Sequence, residues 1–111
     1  MEARLQQLNI PKRCKIVKND FSTYDPEIEF TEEKSLFYLQ EDLLQIVFED
    51  LDFIVDLGWY GDVLKNIGEF KIFIIKGSDW DNPIKIETSK SQKTITQNLE
   101  MILSEINEYK S

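Results

Sequence analysis

Five apolar side chains, Ile95, Leu99, Ile102, Leu103 and Ile106, recur at i, i+4, i+7, i+8 and i+11 near the end of the chain, and Tyr109 continues the row. That spacing gathers them on one stripe of an α-helix. Ser89 or Ser91 can cap it. A lone apolar stripe has to be buried, and it needs a flat apolar surface to lie on. The chain supplies one. Phe53, Val55, Leu57 and Trp59 alternate with Ile54, Asp56 and Gly58, the period of a strand with one covered face. Phe70 to Ile75 is apolar on both faces towards its end, which suits a central strand. Residues 43–48 and 84–87 add shorter strands, so 43–48, 53–59, 70–76 and 84–87 form a meander. The predicted fold class is α+β, an antiparallel β-sheet (meander) with a C-terminal amphipathic helix packed on one face. At 111 residues, 1–111 is expected to be a single domain.

The remaining segments are less regular. Glu2 to Leu8 is predicted as a short helix, with Leu5 and Leu8 at i, i+3 and Pro11 ending it. Cys14 to Lys18 is predicted as a short strand, and residues 19–26 (NDFSTYDP) as a turn-rich loop. Ile28 and Phe30, alternating with Glu27 and Glu29, suggest another strand. Residues 31–48 support two readings. Thr31 followed by acids would cap a helix running through Phe37 and Leu39 to Leu43 and Val47; the rival reading, which is preferred, makes Leu43–Phe48 a strand. Residues 61–68, from Gly61 to Gly68, form a connection long enough for a helical turn. Gly77 to Pro83 is a turn.

Several chemistries are set aside by what is missing. The chain has no His, the usual general base near neutral pH and the commonest metal ligand. Its one Cys, Cys14, has no His to activate it and is expected as a small buried side chain. Asp79, Asp81 and Asn82 resemble the start of a calcium loop, but Ile84 and Lys90 stand where Gly and Glu are required. No catalytic residue, metal or cofactor is expected, and the chain is not read as an enzyme. No apolar run approaches the ~18–20 residues of a membrane span, and MEARLQQL is no signal peptide, so a cytoplasmic protein is expected.

Charge is dealt unevenly. Residues 1–18 carry +4, residues 19–62 carry −12, and residues 63–111 are neutral, for a net charge of −8. Such a balance disfavours direct binding of nucleic acid. The crowded acids form either a solvated face or a docking surface for a basic protein. Acids beside aromatics at strand ends are suited to grip Arg or Lys by stacking and charge-assisted hydrogen bonds. The candidate partner-binding residues are therefore Asp50, Asp52, Asp56, Tyr60, Asp62, Asp79, Trp80 and Asp81. Trp59 is assigned to the core, Trp80 to a partly exposed turn, and Asp56 to an open sheet face. Glu41-Asp42 and Glu49-Asp50 are taken as solvated pairs.

FYLQEDLLQIVF, DFIVDLGWYG, GEFKIFII and DWDNP, between Phe37 and Pro83, resemble the small immunity proteins of bacterial contact-dependent growth inhibition systems. The resemblance implies a non-enzymatic, cytoplasmic inhibitor that binds a cognate toxin's C-terminal domain, often a basic nuclease that cuts transfer RNA. It carries over no motif residues. The alternative is an intracellular adaptor or assembly subunit that binds through a sheet face or an edge strand, with a homodimer as its simplest form.

Overall fold

The computed structural model describes residues 3–110. In chain order the elements are β1 (Lys15–Asn19), α1 (Glu32–Tyr38), β2 (Leu44–Phe48), β3 (Phe53–Asp62), β4 (Ile67–Lys76), β5 (Lys85–Ser89) and α2 (Gln92–Asn107). The strands form one sheet in the order β1-β2-β3-β4-β5, every neighbour antiparallel. The predicted α+β meander with its C-terminal helix is the fold observed, and β1 extends it by a strand along the free edge of β2.

The helix stripe does what its period dictates. Ile95, Leu99, Ile102, Leu103 and Ile106 are all buried, packed into one cluster with Leu44, Ile46, Val55, Leu57, Trp59, Phe70, Ile72 and Ile74 from the sheet. Each such side chain contributes roughly 1.5–3 kcal/mol when fully buried. Ser91, rather than Ser89, is the N-cap: its side chain accepts from the Thr94 N–H at 3.2 Å. The Ser89 hydroxyl accepts instead from the Ser91 N–H at 3.0 Å. Tyr109 falls beyond the helix, with its ring 5.7 Å edge-on from Phe53.

Three expectations need correction, and the two readings of residues 31–48 are resolved. Of the helix expected at Glu2–Leu8, Glu2 lies outside the described residues, and the rest forms no helix. Leu5 bridges Ser22, Gln6 donates to the Phe21 carbonyl at 2.9 Å, and Thr23 donates to that of Arg4 at 2.7 Å. A lone i, i+3 pair could not outweigh those interstrand bonds. No strand forms at Ile28 and Phe30. The Asp25 side chain accepts from the Glu27 N–H at 2.9 Å and its carbonyl from that of Ile28 at 3.1 Å, winding the chain into a turn. Residues 31–48 hold both rival elements in succession: Thr31 caps α1, α1 stops at Tyr38, and β2 follows. Residues 61–68 are not a connection with a helical turn; β3 and β4 run on as a hairpin that turns at 63–66, with Asn66 at φ 52°.

The ends of the chain are stitched together. The buried Gln92 side chain donates to Gln6 and to the Ser22 carbonyl, both at 2.9 Å. Arg13 donates to the Asn107 and Tyr109 carbonyls at 2.8 and 2.7 Å and pairs with Asp50. A guanidinium is well matched to the free carbonyls and negative dipole end of α2. Truncating Leu99, which is fully buried, should cost about 2–5 kcal/mol as Leu99→Ala. Urea unfolding would check this; a loss under about 1 kcal/mol would mean that α2 is not the main cover of the sheet.

Candidate functional site

The antiparallel register decides which candidate residues meet. The β2–β3 turn and the β4–β5 turn lie side by side, because the Gly77 N–H donates to the Asp52 carbonyl at 2.9 Å. Asp52, Gly77 and Ser78 all take left-handed backbone, at φ 57°, 61° and 62°, which folds both turns back tightly. Asp50, Asp52, Asp79, Trp80 and Asp81 are thereby brought to one end of the sheet, hereafter the acidic tip. Trp80 is half exposed there, as its polar turn suggested.

The members of the tip are not equivalent. Asp50 is the partner of Arg13 and so belongs to the stitching of the chain ends. Among the described residues, Asp52, Asp79 and Asp81 form no salt bridge. The Asn82 amide lies 3.3 Å from both carboxylate oxygens of Asp79 and holds that side chain in place. The nearby cation Lys76 is turned inward, donating to the Leu51 carbonyl at 2.7 Å and lying 4.7 Å above the Phe53 ring. The tip is thus negative charge beside an exposed indole, with its neighbouring cations already engaged.

Asp56 and Tyr60 are elsewhere, on the sheet face away from α2. One row across that face runs Lys18, Gln45, Asp56, Phe73, Ile86. The face is not open, as expected, but half covered: Asp56, Val47, Ile54 and Phe73 are half-buried and Ile75 fully so. No hydrogen-bond donor reaches Asp56 among the described residues. Burial pushes its carboxyl up to about 6, with help from Asp42 and opposed by Lys18. Tyr60 is raised as well, by burial first and then by Asp56, Glu41 and Asp42. Its ring meets Phe73 edge-on at 5.7 Å and carries the Lys71 ammonium 5.5 Å from its centre.

This second cluster contains residues that sequence reasoning passed over. Glu41 and Asp42 are no mere solvated pair. The Trp59 N–H donates to the Gln40 carbonyl at 2.8 Å and the Tyr60 hydroxyl to that of Glu41 at 3.3 Å, laying this segment against β3. Gly58 makes room for it, since a Cβ there would overlap the Glu41 carbonyl. Lys18 then bridges Asp42 at 3.1 Å and Asp20 at 3.7 Å. The signal was present in the glycine inside an otherwise apolar strand, which marks a close backbone approach.

Asp62 joins neither group. It sits at the opposite end of β3, roughly 30 Å from Asp52 at ~3.3 Å per residue, and its side chain accepts from the Leu64 N–H at 3.1 Å to close the hairpin. The eight candidates therefore divide into a tip, a half-buried centre and a distant turn. Among the described residues no group of three or more His, Cys, Asp or Glu side chains could hold a metal ion, and no helix is long and apolar enough to cross a membrane. Compared with known proteins, the chain matches no protein-family model, no curated protein and no solved structure.

Two outcomes follow from the centre. A carboxyl raised from 3.8 to about 6 in the folded protein contributes stability that is complete below pH 3.8 and lost as pH rises through about 6. Asp56→Asn should therefore match the wild type near pH 3.8 and exceed it above pH 6, by on the order of 1 kcal/mol because the half-exposed group is screened. Denaturant titrations at steps across that window measure the difference; a pH-independent gap would contradict it. Gly58→Ala should cost about 1–3 kcal/mol by forcing residues 40–42 off β3, visible as a lowered melting temperature, and an unchanged value would refute the close approach.

Proposed function

We propose that this chain is a non-enzymatic immunity protein of a bacterial toxin–immunity pair, acting in the cytoplasm to bind and neutralise the C-terminal domain of a basic, nuclease-type toxin. The observation that carries the reading is the acidic tip: Asp52, Asp79 and Asp81, which form no salt bridge among the described residues, beside the half-exposed Trp80, on two turns tied together by a backbone hydrogen bond. Nucleases that act on RNA present Lys and Arg to phosphates. Carboxylates held on rigid turns imitate that phosphate charge and raise the encounter rate with such a surface. An indole beside them adds a stacking platform for a guanidinium and the rigid aromatic anchor typical of interface hot spots. Covering the toxin's basic cleft with the tip would exclude its RNA.

The test uses the toxin domain encoded by the reading frame immediately upstream. Asp79→Lys/Asp81→Lys should weaken the complex by at least about 2 kcal/mol and abolish protection of cells expressing the toxin. The wild-type association rate should fall by at least about tenfold as salt rises from about 0.05 to 0.5 M. Full protection by the reversed variant, together with a salt-independent rate, would sink the reading.

One observation favours the adaptor reading instead. Leu36 and Phe37 of α1 are 56% and 72% exposed, an apolar pair left uncovered next to the equally exposed Leu5. In that case Phe37→Asp would abolish partner capture while the tip reversal left it intact.

A further inference from the structure

The two edges of the sheet are built differently. β1 carries Lys15 and Lys18 and is broken by a register shift between Ile16 and Lys18, both of which discourage another strand from pairing there. β5 has no such break, and its one lysine, Lys85, is balanced by Glu87 two residues on. It pairs with β4 in unbroken register from Lys85↔Ile74 to Ser89↔Phe70, contains no proline, and lies at the end of the strand order. Its side chains are mostly exposed, with Ile84 and Ile86 58% and 52% accessible on the face away from α2.

Backbone alternation fixes what the free edge offers. The Gly77 N–H donates to the Asp52 carbonyl, so alternate residues of β4 bond to β3, and Ile74, Ile72 and Phe70 bond to β5. Their register partners Lys85, Glu87 and Ser89 bond inward, while Ile86 and Thr88 turn their N–H and C=O groups outward. We infer that β5 pairs antiparallel with β5 of a second copy of this chain, on a two-fold axis centred at Ile86. That centre places Ile86 against its twin in a hydrogen-bonded pair that exchanges two interchain backbone bonds. It sets Lys85 of each copy opposite Glu87 of the other in close, non-hydrogen-bonded pairs, where side chains approach most nearly.

Charge selects this register over its neighbours. Centring on Glu87 or on Lys85 would oppose like charges across the axis, whereas the Ile86 centre alternates Lys and Glu on the α2 side and sets Ile84 opposite Thr88 on the other. Within one chain Lys85 and Glu87 already pair at 3.3 Å, so the two copies complete a ring of four alternating charges. The interface is isologous and closed, so the assembly stops at two. An axis perpendicular to a continuous ten-stranded sheet points the two acidic tips in opposite directions. Dimerisation therefore leaves both tips accessible, and the inference stands whether or not the tip binds a toxin.

The test is sedimentation velocity of the full chain from about 1 to 200 µM, alongside circular dichroism. The wild type should reach twice the 13.1 kDa chain mass within that range. Ile86→Pro removes an outward N–H without touching the β4 ladder and should be monomeric with an unchanged spectrum. Lys85→Glu opposes acids at both symmetric positions and should raise the dimer dissociation constant at least about tenfold. Lys85→Glu/Glu87→Lys restores the alternation and should recover the dimer. A wild type that stays monomeric across the range would overturn the inference, as would a dimer indifferent to Lys85→Glu. Should Ile86→Pro unfold, the charge pair alone decides.

Discussion

The rest of the molecule depends on the burial of one helical stripe against one sheet face. α2 needs a flat apolar bed, and β2, β3 and β4 supply it with Ile46, Val55, Leu57, Ile72 and Ile74. Once that face is covered, strand periodicity dictates that alternate residues point the other way. Asp56, Tyr60 and Lys71 therefore share the second face, along with Gln45 and Phe73. The charged groups of the central strands are sorted by the same constraint: Asp56, Asp62 and Glu69 of β3 and β4 all lie on the face that α2 leaves.

That sorting explains why the sequence foretold the sheet and helix better than the site. Ile95 to Ile106 and Phe53 to Trp59 each repeat one period over several residues, and nothing in the fold competes with them. Leu5 and Leu8 repeat only once, so backbone bonds from Arg4 and Gln6 to the 21–23 segment prevail. Ile28 and Phe30 alternate too, but the Asp25 side chain offers the backbone a local turn instead. Trp80 could be placed in an exposed turn because its neighbours are turn formers. The split of the acids could not be foreseen, because it depends on which turns share an end of the sheet, and that is a property of topology. Asp62 and Asp52 look alike in sequence and lie at opposite ends of β3.

Several acids serve the fold itself. Asp50 holds Arg13, Asp25 bonds the first N–H of α2 at 3.2 Å, Glu29 pairs with Lys34, and Asp42 holds Lys18. Subtracting these leaves a smaller, better-defined negative surface than the raw charge of residues 19–62 suggested. Its members at the tip gain position from the glycine-like backbone of two turns, so the charge is presented on a stiff support and not on a mobile tail.

Arg13 spans the greatest distance along the chain of any of these contacts, reaching carbonyls 94 and 96 residues further on. A ribosome delivers the first partner long before the second. The amino-terminal segment can bond early to residues 21–23, but its contacts to Gln92 wait until α2 emerges. Closure therefore comes late and is dominated by long-range contacts, the slow end of the range for a domain of this size. A polypeptide stalled before α2 would leave Arg13 and Gln6 without the carbonyls and the Gln92 amide that tie them down.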